Sequence, residues 1–399
     1  MRNIKFISPL SSTFIILLLL SAKANAQSTI ENVLSEIAKN NKTILANTQY
    51  WESQKLQYKT GLTPYNPTVE YDYLAGTPAN AGNQTEFTVG QSFDFPTAYI
   101  KKNQLSKQQI AQTEFQLTAS RQNVLLVAKK VCIELVYRNT LHSQLTQRKQ
   151  NTDKLLGDFK MKLDKGEGNI LNVNKAQIQL IEIKKEYQEN ISAINQLNQK
   201  LTKLNGGAAI SMNDTVYPVL PSIPPFEQLQ SEYESNDPLR KNLELEKIIT
   251  QKQIEVSRAL SFPKLKLGYR YQRIIGQTFN GIHTGITIPL LENRNNVKQK
   301  KAKFLFTDLE LKVHQNELYY ELKQLYEKYQ NLKITLTGYQ DVFQVLINSA
   351  LLNKALSSGQ ISTIEYFMEI NYYTAAFNNY METEKEYYEV IVELFKYQL

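Results

Sequence analysis

Few residues of this 399-residue chain have the types and spacing that enzyme chemistry requires. The three histidines, His142, His283 and His314, fall in different predicted elements and have no other ligands at metal-binding spacing. The sequence contains neither a nucleophile motif nor a glycine-rich phosphate loop. The single cysteine, Cys132, cannot form an internal disulfide, and we expect it to be a small buried hydrophobic residue. The sequence therefore predicts a protein that is not an enzyme and needs no metal or cofactor.

Several acidic and basic residues lie on short segments in which apolar and polar residues alternate. Residues 68–75 carry valine and tyrosine on one face and Glu70 and Asp72 on the other, and residues 85–96 repeat this pattern with Asp94 on the polar face. A second pair, starting at Pro263, places Lys266 and Arg270 on the polar face of its first strand. Strands of about nine residues with one apolar, aromatic face suit a transmembrane barrel. A soluble hairpin is the alternative for either pair alone.

Two stretches without proline, residues 97–217 and 290–399, must position these strands. Each has one clear interruption near its middle, at 164–169 and at 357–362, and apolar residues at three- and four-residue spacing after it. This pattern predicts two long helical hairpins, with a first helix of some 60 residues that would extend roughly 90 Å. One such hairpin alone would favour a dimeric coiled coil.

The two halves of the chain repeat the same plan. Three pairs of residues are 196 positions apart and two more pairs are 193 apart, namely Asn40 and Asn236, Pro67 and Pro263, Tyr73 and Tyr269, then Pro96 and Pro289, Gly166 and Gly359. We infer a duplicated unit of helix, two strands and long hairpin. The predicted boundaries are 27–217 for the first repeat, 218–235 for a proline-containing linker, and 236–399 for the second repeat.

Residues 1–26 are predicted to be a secretory signal peptide. Arg2 and Lys5 precede a short apolar run, and Ala24-Asn25-Ala26 offers a small-residue cleavage site. Removal of this segment lowers the formal net charge from +8 to +5, and the remaining excess is spread over lysine-rich helices, without a patch of the kind that nucleic acid requires. We therefore expect an exported protein that does not bind nucleic acid.

Four strands cannot close a barrel, and lipid does not tolerate an open sheet edge. Several copies must therefore share one barrel. Two copies would give eight strands with an interior filled by side chains, whereas three copies would supply twelve strands around a lumen. The polar-face residues Glu70, Asp72, Asp94, Lys266 and Arg270 would give that lumen mixed charge, with ordinary solvation of the interior as the favoured role of each. The physical interpretation is an oligomeric conduit.

The chain resembles the TolC family of outer-membrane efflux proteins over essentially its whole mature length. The resemblance rests on the duplicated strand pairs, which include residues 66–71 (NPTVEY) and 262–267 (FPKLKL), and on the glycine-containing hairpin tips. It implies a mixed α and β membrane protein, a trimeric 12-stranded outer-membrane β-barrel continued by a long periplasmic α-helical barrel. It also implies a periplasmic adaptor and an inner-membrane pump of the RND type as partners.

The family resemblance also assigns roles at the hairpin tips. An acidic residue six positions after the tip glycine narrows the periplasmic entrance in the family, and the corresponding residues here are Glu365 and Asn172. The next family carboxylate would fall at Met368, so this part of the gate is absent or displaced to Glu369. A solvated charge on a coiled coil is the alternative for Glu365.

We expect the hairpin ends, residues 160–170 and 353–363, to contact the adaptor, with Gly166, Gly168, Gly359 and Ser362 shaping them. The loops at 76–84 and 274–281 are expected to face outside the cell.

The transported substrate is the least determined part of the prediction. Residues 66–73 and 85–96 are most similar to the heavy-metal branch of the family, although the chain has no cluster of soft metal ligands. A duct for drug efflux or for type I protein secretion remains open. The alternative from a different class is a periplasmic coiled-coil adaptor or structural protein, but such adaptors have one hairpin where this sequence predicts two.

Overall fold

The computed structural model describes residues 29–219, 221–291, 294–345 and 349–399. The predicted signal peptide lies outside the described residues. Within them the helices and strands are, in chain order, α1 Thr29–Asn40, α2 Lys42–Tyr58, β1 Thr68–Leu74, β2 Gln84–Phe93, α3 Pro96–Asp164, α4 Ile170–Leu204, α5 Phe226–Asn236, α6 Pro238–Ala259, β3 Lys264–Ile274, β4 Gln277–Thr287, α7 Asn296–Val345, α8 Ser349–Ser357 and α9 Thr363–Leu394.

The four strands form a single antiparallel sheet in the order β1-β2-β3-β4. Strand β2, from the first half of the chain, pairs with β3 from the second half over the whole range from Gln84↔Ile274 to Phe93↔Leu265. Strands β1 and β4 are therefore the edges of the sheet, and within the described chain neither outer edge pairs with another strand. The sequence analysis places both strand pairs in one barrel, and the pairing of β2 with β3 and its register are the new information.

The third and fourth strands are longer than the sequence pattern indicates. The loop predicted at 274–281 is wrong. Strand β3 continues to Ile274 and β4 begins at Gln277, so only a two-residue turn, Ile275 and Gly276, connects them. Both turn residues have positive φ, 47° and 78°. Two consecutive positive φ angles match the right-handed twist of a hairpin, and this explains the short connection.

Helix α3, with 69 residues, is the longest element and would extend about 100 Å. It contacts α2, α4, α6 and α9, while α7 contacts α6 and α9. The main core lies around its middle, where the apolar side of α1 (Ile30, Val33 and Ile37) is buried in the same cluster as Cys132. Cys132 is fully buried, and this burial raises the pKa of its thiol to about 12, so the prediction of a packed hydrophobic residue is confirmed.

Two details differ from the sequence pattern. The helix that opens the first predicted repeat is divided at Asn41, whose side chain accepts a hydrogen bond from the Ile44 amide and donates one to the Leu204 carbonyl. Helix α5 occupies the second half of the segment predicted as a linker, and its Leu229 is fully buried in a second core formed mainly with α7 and α9. In the described part of the chain, no helix is both long and apolar enough to cross a membrane.

Candidate functional site

The sheet has one apolar and one polar face, as the alternation predicts. Residues that are paired across antiparallel strands lie on the same face. One row of the register contains Val69, Val89, Tyr269 and Ile282, and the next row on that face contains Tyr71, Phe87, Tyr271 and Asn280. Much of this apolar face is exposed to solvent in the single chain, with Val69 65% exposed and Ile282 81% exposed. An exposed face of this size and composition indicates a lipid or protein contact.

The structure brings four of the five predicted polar-face residues onto one surface. Glu70 and Asp72 on β1 are exposed, and Arg270 and Lys266 lie on β3 on the same face. The Arg270 guanidinium donates a hydrogen bond of 2.6 Å to the carboxylate of Glu86 on β2. The sequence analysis did not select Glu86, although it alternates in step with Thr88 and Gly90 on the polar side of β2.

Asp94, the fifth residue, lies just after β2 and is buried at the junction with α3. Its carboxylate forms an ion pair of 2.8 Å with Lys102, and its backbone amide donates a hydrogen bond of 2.9 Å to the Tyr99 hydroxyl. The Asp94 side chain is only 2% exposed. Its charge is therefore engaged in joining the strand to the helix.

At the opposite end of the long helices, the two hairpin tips pack against each other. Phe159, Val173 and Ala176 of the first hairpin form an apolar cluster with Leu356 and Phe367 of the second. A cleft of about 1180 Å³ separates the outermost parts of the tips. Its lining includes Gly166, Gly168, Asn172 and Ser362, so four of the predicted tip residues share one surface.

The tip glycines Gly166 and Gly359 end their helices in the same geometry. Gly166 has φ +74° and Gly359 has φ +73°. In each case the following amide, Glu167 or Gln360, donates to a carbonyl five residues earlier, at 2.9 Å. This is a Schellman ending, which favours glycine because a side chain strains the left-handed conformation.

Gly168 is required for another reason, which is close approach to the end of α3. A Cβ at this position would lie 2.5 Å from the Leu163 nitrogen and 2.7 Å from its Cα. By contrast, a Cβ on Gly166 or Gly359 would meet nothing within 4 Å. The three glycines thus shape the tips by two different physical constraints.

Helices α4 and α9 begin with different caps. The Asn169 side chain accepts a hydrogen bond from the Leu171 amide at the start of α4. At the start of α9, Ser362 and Glu365 form a capping box, in which the Ser362 amide donates to Glu365 at 2.7 Å and the Glu365 amide donates to the Ser362 hydroxyl at 3.2 Å. These hydrogen bonds from Ser362 lower the pKa of the Glu365 carboxyl below its usual value.

The two residues assigned to the gate therefore occupy equivalent helical positions but different surroundings. Asn172 is half-buried and lines the tip cleft, whereas Glu365 is exposed and turns its carboxylate back onto Ser362. The sequence analysis named both gate residues and Ser362 but missed the capping box. The S-x-x-E pattern before an apolar helix is the signal that could have revealed it.

Comparison with known proteins agrees on the fold. No family model and no curated protein matches the chain. Among solved structures, CusC matches with a TM-score of 0.77 at 14% identity, covering 92% of this chain and 91% of that one. The outer membrane protein VceC from Vibrio cholerae matches with a TM-score of 0.73 at 11% identity, covering 92% and 94%.

A third match is the Campylobacter jejuni CmeC outer membrane channel, with a TM-score of 0.71 at 15% identity, covering 92% of this chain and 85% of that one. All three alignments span the strands and both hairpins, because they cover nearly the whole described chain. The chain has the fold of these outer-membrane channel proteins, as its resemblance to the TolC family predicts.

Proposed function

We propose that the protein is the outer-membrane exit duct of a tripartite efflux system. The observation that carries this proposal is the four-stranded sheet, which exposes an apolar, aromatic face and has two outer edges with no partner in the described chain. A sheet of this kind is stable in lipid only when further strands close it. Strand β2 is followed within a few residues by α3, which is about 100 Å long and suits a periplasmic tunnel.

The proposed assembly is a homotrimer. Helices α2 and α7 lie at the two ends of the helical layer near the sheet, and both expose large apolar side chains, including Leu45 and Tyr50 on α2 and Leu305, Leu309 and Val313 on α7. Contact between α7 of one copy and α2 of the next would bury both sets while β4 pairs with the neighbouring β1. Three copies would then give twelve strands and a lumen.

The proposed partners are a periplasmic adaptor and an inner-membrane pump of the RND type. The adaptor would dock at the hairpin tips, which are the part of the long helices farthest from the sheet. Glu365 and Asn172 are the proposed constriction residues, and a ring of three Glu365 carboxylates would attract cations. Glu365 also has a second role, because it forms part of the capping box of α9. A substitution of Glu365 is therefore expected to change both the gating of the duct and the stability of the tip.

Assembly and orientation can be tested by labelling single cysteines on intact cells. We expect Asn83→Cys and Gln277→Cys, at the two hairpin ends of the sheet, to react with an impermeant maleimide, because these ends face outside in the proposed orientation. Native Cys132 is fully buried and provides the unlabelled background. The extracted protein should also migrate as a heat-modifiable trimer. Labelling only after lysis, or a monomer in the periplasmic fraction, would contradict the proposal.

The adaptor contact is tested by replacing Gly359 with a bulky residue such as tryptophan. The space beside Gly359 is open, so only the left-handed backbone is strained, and Gly359→Ala carries the same strain without the bulk. We expect both variants to assemble as trimers and only the tryptophan variant to lose export. Wild-type export with Gly166→Trp and Gly359→Trp combined would place docking elsewhere.

Heavy-metal cations are the proposed substrates, with drugs and secreted polypeptides as the competing classes. The described residues contain no group of three or more histidine, cysteine, aspartate or glutamate side chains that could hold a metal, so metals would pass through the duct without a dedicated site. Deletion of the protein should sensitise cells to zinc, cadmium, cobalt, copper or silver. Sensitivity confined to detergents and dyes would refute the metal assignment and leave the duct intact.

A further inference from the structure

We propose that the polar face of the sheet carries two oppositely charged bands, which make the duct rectify ionic current. This inference rests on the proposed function, because it requires the polar face to line a water-filled pore. It follows from the strand register, which fixes the height of every charged side chain relative to the hairpin ends of the sheet.

The first band lies near the hairpin ends and is acidic. Asp72 is directly opposite Glu86, and Glu70 lies one row deeper, opposite Thr88. Arg270, in the same row as Glu70, donates to the Glu86 carboxylate and neutralises it. Neither Glu70 nor Asp72 makes an ion pair within the described chain, so each copy keeps two uncompensated carboxylates here.

The second band lies near the helices and is basic. Lys266 is paired with Ser92 on one side and with Gly285 on the other. The Lys266 side chain lies over Gly90, where a Cβ would approach its Cε at 3.1 Å. Glycines at 90 and 285 thus leave the space in which Lys266 lies along the sheet. Within the described chain, the row of Lys266 contains no acidic residue and Lys266 makes no ion pair.

The two bands are far enough apart to act separately. Thr88 and Ser92, which mark the facing rows of the two bands on β2, are four residues apart, or roughly 13 Å along the strand. The Debye length is about 10 Å at 0.1 M salt, so each band controls the ions in its own section of the lumen. The row between them contains Thr68, Gly90, Gly268 and His283, which include no carboxylate, lysine or arginine.

A pore with one anionic and one cationic section conducts unequally in the two directions. Cations are the main carriers in the acidic section and anions in the basic section. When the hairpin side of the sheet is positive, both carriers move toward the junction and accumulate, so conductance rises. The opposite voltage depletes the junction. Larger current is therefore expected with the hairpin side positive.

The test is current measurement on purified wild-type trimers inserted in one orientation in planar bilayers. In 0.1 M KCl we expect roughly twofold more current at the favourable polarity, and a ratio near 1 in 1 M KCl, where the Debye length is about 3 Å. Glu70→Gln with Asp72→Asn removes the acidic band, and Lys266→Met removes a charge from the basic band. Each variant should lower the ratio toward 1 in 0.1 M KCl.

Arg273→Gln is the matched control, because Arg273 is on β3 but on the apolar face, in the row of Tyr73 and Thr85. It removes a positive charge from the same strand as Lys266 and should leave rectification unchanged. Assembly of each variant is checked by heat-modifiable migration. Two results would overturn this inference but leave the proposed duct intact. One is wild-type trimers that conduct without rectification in 0.1 M KCl, and the other is a loss of rectification in Arg273→Gln equal to that in Lys266→Met. Assembled wild-type trimers with no conductance would overturn the proposed duct as well.

Discussion

At the scale of single residues, the hairpin tips depend on backbone geometry more than on side-chain chemistry. Gly166 and Gly359 adopt positive φ in open space, whereas Gly168 approaches the backbone of α3 too closely for any side chain. Both constraints act on the first tip and one acts on the second, so residues without a functional group shape the two turns.

A first prediction separates close packing from helix propensity. Gly168→Ala should destabilise the first hairpin tip by about 1–3 kcal/mol, because its Cβ would overlap Leu163. Gly157→Ala, an exposed position within α3 where a Cβ meets nothing within 4 Å, should instead stabilise the helix by about 1 kcal/mol. Hydrogen exchange of residues 155–172 measures both. Equal protection in the two variants would contradict the packing argument.

A second prediction concerns the charge of Glu365. Because hydrogen bonds from Ser362 lower its pKa, the capping box is fully stabilising above the usual value of 4.5 and is lost as the pH falls through the lower pKa of the folded state. Hydrogen exchange in the first turn of α9, corrected for the intrinsic rate, should increase over that acidic range. Glu365→Ala should give the same increase at neutral pH.

Glu369→Ala is the control for this prediction, since Glu369 is exposed on the same helix but beyond the capping positions. Unchanged exchange in Glu365→Ala would show that the capping box contributes nothing to the tip.

At the scale of elements, polar side chains determine where the shorter helices begin and what they dock against. Asp237 caps α6 by accepting from the Leu239 and Arg240 amides, and it also lies 2.7 Å from His314 Nε2 on α7. Burial alone would raise the pKa of Asp237, but the hydrogen bonds from His314 and the Arg240 amide lower it below its usual value. One carboxylate thus starts a helix and joins it to its neighbour.

A third prediction follows for this junction. Asp237→Ala loses the cap and the His314 contact and should cost about 2–4 kcal/mol, whereas Asp237→Asn keeps the cap and should cost less. The apparent melting temperature should therefore be lowest for Asp237→Ala, intermediate for Asp237→Asn and highest for the wild type. Asn169→Ala, which removes only a helix cap at the exposed tip, serves as the comparison. The stabilisation should be present above the usual pKa of 3.8 and disappear as the pH falls below it. A reversed order would contradict the dual role.

At the scale of the whole molecule, the exposed apolar face of the sheet is the feature that a single chain does not stabilise. Val69, Tyr71, Tyr269 and Ile282 are each between 46% and 81% exposed. In water such a face would favour aggregation, and in lipid it lowers the energy of the assembled protein.

A fourth prediction tests which face contacts lipid. Ile282→Lys should destabilise the inserted trimer by about 2–4 kcal/mol if this row lies near the middle of the membrane. His283→Lys, the adjacent residue on the polar face, is the matched control and should assemble normally. Quantitative heat-modifiability on gels gives the fraction assembled. Equal assembly of the two variants would show that the faces are not segregated between lipid and water.

The sequence by itself determined the local architecture. Proline-free stretches with apolar residues at three- and four-residue spacing require helices, and strict alternation requires two-faced strands, because these periods follow from backbone geometry. The long hairpins could be predicted for this reason, and the glycine turns at 166 and 359 from the interruptions of the pattern. The burial of Cys132 was predicted because a single cysteine without a disulfide partner behaves as a small hydrophobic residue. The resemblance to the TolC family added the fold, which the structure shares.

Only the tertiary structure decided which distant residues meet. The pairing of β2 with β3 places Glu86 beside Arg270, a contact between residues 184 positions apart that no local pattern contains. The same is true of the contact between Asp237 and His314. Asp94 shared the alternation of β2 but lies after its last residue, so the junction with α3 buried it against Lys102. Local periodicity determines the face of an element, but the register and packing of distant segments determine its partners.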